Sequence, residues 1–169
     1  MRKTLGLAVA LIAIPVRAPS QRLGTTEASV VARGTLFDPS VRPNPAAGIG
    51  GRVGVFLTPK WLLEADYTTT SAGGLDYRPL YLRVNVFAGS ERTAFIAGLG
   101  YVHDSYSGAL EGHDAGLTSL LGVRFSVREQ MFWRLDATLD YIPSPANDAA
   151  DNWTAAAHIG IGYRFGVSQ

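Results

Sequence analysis

The sequence predicts an all-β chain: an eight-stranded antiparallel up-and-down transmembrane β-barrel with a polar, ion-paired interior. Three observations predict it. Eight segments alternate apolar and polar side chains with the period of two that a strand imposes. Between the first and last apolar residue of each segment the charged residues keep to the parity opposite the apolar one. Aromatic residues gather at both ends of the apolar parity and leave an aliphatic band between them.

Composition agrees with one domain of this class. The chain has 169 residues, a formal net charge of +1, and charged residues make up only 17% while hydrophobic ones make up 47%. Near-neutral charge gives no basis for a nucleic-acid partner. With no cysteine, a disulfide scaffold and a thiolate zinc site are both excluded. Nineteen glycines and nine prolines suit short strands joined by tight turns.

Residues 1–20 read as a signal peptide and 21–169 as the barrel. Met1-Arg2-Lys3 forms a positive start, and Leu5 to Ile14 is an apolar run of about ten residues, the length of a signal core and short of the ~20 of a membrane helix. Cleavage is expected with Ala18 at −3, Ser20 at −1 and Gln21 as the mature start, which avoids a proline just past the cut. The protein is therefore expected to be exported.

The strands follow in order. Glu27 to Phe37 sets Val30, Ala32, Gly34 and Leu36 against Arg33 and Thr35. Ala46 to Thr58 sets Ile49, Val53, Val55 and Leu57 against Arg52 and glycines. Trp61 to Thr70 opposes Trp61, Leu63, Ala65 and Tyr67 to Glu64 and Asp66. Tyr77 to Ala88 opposes Leu80, Leu82, Val84 and Val86 to Tyr81, Arg83 and Asn85. Thr93 to Asp104 carries Phe95, Ala97, Leu99 and Tyr101 opposite Ile96, Gly98 and Gly100. Ala115 to Val127 carries Leu117, Leu121, Val123 and Phe125 opposite Thr118, Arg124 and Ser126. Met131 to Tyr141 alternates most cleanly, with Met131, Trp133, Leu135, Ala137, Leu139 and Tyr141 against Phe132, Arg134, Asp136, Thr138 and Asp140. Trp153 to Phe165 opposes Trp153, Ile159, Ile161, Tyr163 and Phe165 to His158, two glycines and Arg164. Each segment has about the 9–11 residues a tilted strand needs to cross a bilayer.

Connections alternate between longer polar loops, at 38–46, 71–76, 105–114 and 143–152, and tight turns such as Thr58-Pro59-Lys60. Outer-membrane barrels show this asymmetry, with turns in the periplasm and loops outside. The aromatic positions Trp61, Tyr67, Tyr101, Trp133, Tyr141, Trp153, Tyr163 and Phe165 then form two girdles.

Which parity points inward follows from size. Leu, Trp and Tyr from eight strands would overfill an interior just wide enough for side chains. Gly48, Gly50, Gly54, Gly98, Gly100, Gly122, Gly160 and Gly162 all share the charged parity, leaving room beside long side chains. The charged parity is thus predicted to be the lumen: Arg33, Arg52, Arg83, Arg124, Arg134 and Arg164 facing Glu64, Asp66, Asp136, Asp140 and His158. Unpaired charges there cost several kcal/mol or more, so a continuous ion-pair ladder closing the barrel is expected.

Over Glu27 to Phe165 this pattern resembles the small eight-stranded outer-membrane barrels, the OmpA transmembrane domain and OmpX type. The last strand, Ile159-Gly160-Ile161-Gly162-Tyr163-Arg164-Phe165, is similar to the aromatic-ended signal that the barrel assembly machinery reads. The resemblance implies residence in the bacterial outer membrane, with outer-membrane lipids and lipopolysaccharide as surroundings. It also implies loops available to an extracellular ligand.

No enzymatic activity, cofactor or metal is expected. Two alternatives stand beside the closed structural barrel: a narrow small-solute pore, and a lipid A-modifying enzyme. The second rests on His103-Asp104-Ser105, which is similar to the H-x-S element of the lipid A deacylases. That resemblance implies His103 as base and Ser105 as nucleophile; a triad also needs an acid to orient the histidine, and Glu111 in the next loop is the available candidate. Asp104, His113 and Asp114 in the third loop, and Asn147, Asp148 and Asp151 in the fourth, follow no known ligand spacing and read as solvated acids.

Overall fold

The computed structural model describes residues 23–36, 46–108, 111–146 and 152–166. The signal segment and most of the first and fourth loops lie outside the described residues, Asn147, Asp148 and Asp151 among them. Eight strands follow one another: β1 (Thr26–Leu36), β2 (Ala46–Phe56), β3 (Trp61–Ala72), β4 (Leu75–Gly89), β5 (Thr93–Gly108), β6 (Gly112–Ser126), β7 (Met131–Tyr141) and β8 (Trp153–Phe165). Each pairs antiparallel with the next, and β8 returns to β1, so the barrel closes. Closure leaves no sheet edge along the common span, the condition a strand structure must meet inside a bilayer.

The turns at one end, here the turn end, are fixed by side-chain oxygens. The Thr58 hydroxyl accepts from the Lys60 and Trp61 amides at 3.2 and 3.1 Å, and the Ser90 hydroxyl accepts from the Thr93 amide at 3.1 Å. At the opposite, loop end, β3 and β4 are joined through Gly73 and Gly74, with φ of 61° and 80°. Two successive left-handed residues make the two-residue hairpin whose twist matches that of its strands.

Two predicted loops are therefore shorter than expected. Segment 71–76 contracts to that glycine pair, because Ser71 and Ala72 pair with Asp76 and Leu75. Residues 105–114 are mostly strand: Ser105 to Gly108 pair with β4, and Ser105 and Tyr106 pair with His113 and Gly112. Serine, glycine and histidine carry weak strand propensity, and the ladder overrides it. β4, β5 and β6 thus run 15, 16 and 15 residues against 11 for β1, β2 and β7, so the wall is tallest on that side.

Polarity across the wall is inverted relative to a soluble domain. On the outer face Leu99 and Leu121 are 71% and 70% exposed, whereas Arg83 and Arg134 inside are 1% exposed. The inward glycines explain how long chains fit: a Cβ on Gly122 would lie 2.5 Å from the Asp136 Cβ, and one on Gly98 would run into the Asn85 side-chain oxygen. The fold is that of an eight-stranded transmembrane β-barrel.

Candidate functional site

The lumen is built in three tiers. All eleven residues predicted for it, Arg33, Arg52, Glu64, Asp66, Arg83, Arg124, Arg134, Asp136, Asp140, His158 and Arg164, are buried inside. They do not form one continuous ladder. The middle tier is instead a closed ring of alternating charge. Arg52 on β2 meets Asp66 on β3 at 2.9 Å, and Asp66 meets Arg83 on β4 at 2.5 Å. Arg83 lies 3.4 Å from Glu64 on β3, which meets Arg134 on β7 at 2.5 Å. Arg134 meets Asp136 at 2.7 Å, and Asp136 returns to Arg52 at 2.9 Å.

Three positive and three negative groups balance within this ring, and a further 3.7 Å contact joins Arg52 to Glu64. Because β3 and β7 stand on opposite sides of an eight-stranded barrel, the ring spans the lumen. Each carboxylate touches at least two guanidinium groups, which is the arrangement that offsets the desolvation of buried charge. Nδ1 of His158 lies 3.0 Å from Oδ1 of Asp136.

The loop-end tier is phenolic. Tyr81 donates to Asp140 at 2.8 Å and Tyr77 donates to Asp104 at 2.9 Å. The Arg33 guanidinium lies over both rings, 5.5 Å from the centroid of Tyr77 and 5.2 Å from that of Tyr81. It reaches Asp140 only at 3.9 Å, and donates to Thr35 and Thr68. Arg83 lies 4.5 Å from the Tyr81 centroid and so connects this tier to the ring.

The turn-end tier surrounds the predicted Arg124 with an apolar cluster that is absent from the predicted site. Phe56, Leu62, Phe87, Ala94, Ile96 and Leu120 form a buried cluster. Arg124 sits among the Phe87, Phe132 and Phe56 rings at 4.4, 5.6 and 5.9 Å, and its guanidinium donates to Glu27 at 3.2 Å. Arg124 and Arg134 are direct cross-strand partners, which like charges disfavour. They resolve the conflict by pointing apart, Arg134 up into the ring and Arg124 down to Glu27.

The predicted girdle residues all lie on the outer face. Trp61, Trp133, Tyr163 and Phe165 are at the turn end; Tyr67, Tyr101, Tyr141 and Trp153 are at the loop end. Tyr141 and Trp153 pack at 4.7 Å between ring centroids, and Tyr163 and Phe165 at 4.9 Å.

The loop-end rim departs from expectation. Ser105 does not bond His103; its hydroxyl lies 3.1 Å from Nδ1 of His113. Residues two apart on one strand sit about 6.5 Å apart, whereas Ser105 and His113 are direct cross-strand partners. Glu111 lines a depression of about 240 Å³ with Arg78, Ser105 and His113, but forms no hydrogen bond or ion pair with His103 or His113. The Asp104, His113 and Asp114 set is divided by parity. Asp104 and Asp114 are inward partners, with Asp104 bonded to Tyr77 and Asp114 to Tyr106, while His113 faces out. Among the described residues no three His, Asp or Glu side chains converge as a metal site.

Solved structures share this architecture: it is a small outer-membrane barrel fold. The N-terminal barrel domain of Pseudomonas aeruginosa OprF aligns with a TM-score of 0.61 at 16% identity, covering 82% of this chain and 97% of that one. Neisserial surface protein A aligns at 0.59 and 15% identity, over 83% and 94% of the two chains. Ail, the attachment invasion locus protein of Yersinia pestis, aligns at 0.59 and 13% identity, over 85% and 99%. No protein-family profile and no curated protein sequence matches the chain.

Proposed function

We propose that the chain is an exported, integral outer-membrane barrel with a closed lumen, serving as a structural and surface-interaction element. The observation that carries closure is the alternating ring from β2, β3 and β4 across to β7, backed at the turn end by the Phe56, Leu62, Phe87 and Phe132 plug. An ion entering there would have to displace paired charges and then cross an aromatic constriction. The outer-membrane location is supported by the apolar band between two girdles and by the shared fold of OprF, NspA and Ail. The surrounding lipid and lipopolysaccharide are then its immediate partners, the Ile159 to Phe165 segment its address to the assembly machinery, and the loops its contact with the exterior.

Purified protein reconstituted in a planar bilayer tests closure. The expected record is free of steady conductance. A steady, salt-dependent single-channel current would make the barrel a pore.

A further inference from the structure

The tall side of the wall carries polar groups on its outer face, beyond the loop-end girdle. Tyr101 pairs with Leu117; one rung further out His103 faces Ala115, and the next rung aligns Arg78, Ser105 and His113 on β4, β5 and β6. His103 and His113 are therefore diagonal neighbours, a relation that brings Cβ atoms within roughly 7–8 Å, in reach for long side chains. Their rings lie nearly parallel, with centroids 5.7 Å apart and planes 9° apart. Of the chain's three histidines, these two come from different strands to one spot, while His158 is buried in the lumen.

We propose that His103 and His113 are a two-imidazole chelate for a divalent first-row transition ion such as Zn²⁺. Three features support it. His113 has its Nδ1 engaged by the Ser105 hydroxyl at 3.1 Å, which fixes the ring and leaves Nε2 as the coordinating nitrogen, the usual outer-sphere device of a metal-bound histidine. The 5.7 Å between ring centroids matches the span of two imidazoles on one ion, each bound at the ~2.0–2.1 Å of a zinc–nitrogen bond once the stacked rings turn edge-on to it. The field around the pair suits a cation: Arg78 is held by Asp76 at 3.1 Å, and Glu111 shares the depression with His113. An anionic headgroup would meet that same Glu111, which disfavours it. Water fills the remaining coordination positions, since no third side-chain ligand converges among the described residues.

The test uses the folded barrel in detergent micelles, with Zn²⁺ alone followed by calorimetry and Cu²⁺ by electron paramagnetic resonance. The expected result is one Zn²⁺ per chain and a copper spectrum with two equatorial imidazole nitrogens. His103→Asn, His113→Asn and the double variant each lose about tenfold or more in affinity, the single variants nearly as much as the double. Ser105→Ala weakens binding and keeps the one-to-one stoichiometry. A heat-modifiable gel shift in each variant establishes that the barrel is still folded. Absence of Zn²⁺ binding to the native barrel, or binding unchanged in the folded double variant, overturns the proposal.

Discussion

Glu64→Gln removes one negative charge from the centre of the ring and keeps the side chain's size. In the native lumen Glu64 contacts Arg134, Arg83 and Arg52 at 2.5, 3.4 and 3.7 Å. After the change, three guanidinium groups share Asp66 and Asp136, and one buried positive charge is left uncompensated. Breaking a buried pair from one side costs about 3–5 kcal/mol, and the variant is expected to lose that much. The double variant Glu64→Gln with Arg134→Gln restores balance, leaving Arg52 and Arg83 against Asp66 and Asp136. It is expected to recover roughly 1–3 kcal/mol relative to the sum of the two single changes. Denaturant unfolding from lipid vesicles measures this through Trp61, Trp133 and Trp153, which stand on the outer face and change surroundings when the barrel leaves the bilayer. Single-variant losses below about 1 kcal/mol with no coupling are what solvated pairs give. That outcome would refute a dry ring.

Other expectations follow from the same geometry. Gly122→Ala places a Cβ 2.5 Å from the Asp136 Cβ and 2.7 Å from the Leu135 carbonyl, both stiff neighbours, and should cost about 1–3 kcal/mol in the same unfolding assay. Gly51→Ala, with nothing nearer than 3.8 Å, should stay within about 0.5 kcal/mol of native. Leu121→Arg puts a charge at mid-height on the outer face and should destabilise the vesicle-inserted barrel by about 2–4 kcal/mol; on a water-facing surface it would be near neutral. Expression in a lipopolysaccharide-producing host should leave lipid A acylation unchanged by mass spectrometry. Loss of an acyl chain that depends on Ser105 and His113 would establish hydrolysis at the rim.

Inside and outside were legible in the sequence because a charge within a strand marks its parity. Arg52, Glu64, Arg134 and Asp136 each stand out against apolar neighbours, and parity alone sends them to one side. Their closure into a ring was not legible. It depends on register, which sets Arg52 beside Asp66 and Glu64 beside Arg83, and on the barrel bringing β3 opposite β7. The aromatic plug is hidden in the sequence for a different reason. Phe56, Leu62, Phe87 and Phe132 are apolar residues on the polar parity, so they read as lapses in alternation rather than as a tier. Glu27 and Asp104 lie near strand ends, where a carboxylate reads as solvated; both are buried against Arg124 and Tyr77. The rim was hidden by its composition: Ser105 to Gly108 has the residues of a loop, and only its partners on β4 and β6 extend it as strand.

The central claim is that the charged parity is the interior and the apolar parity faces lipid. Fractionation with heat-modifiability tests it directly. The protein is predicted to sediment with the outer membrane, require detergent for extraction, and migrate faster unboiled than boiled. Recovery as a periplasmic protein soluble without detergent, with one mobility before and after boiling, would contradict the account.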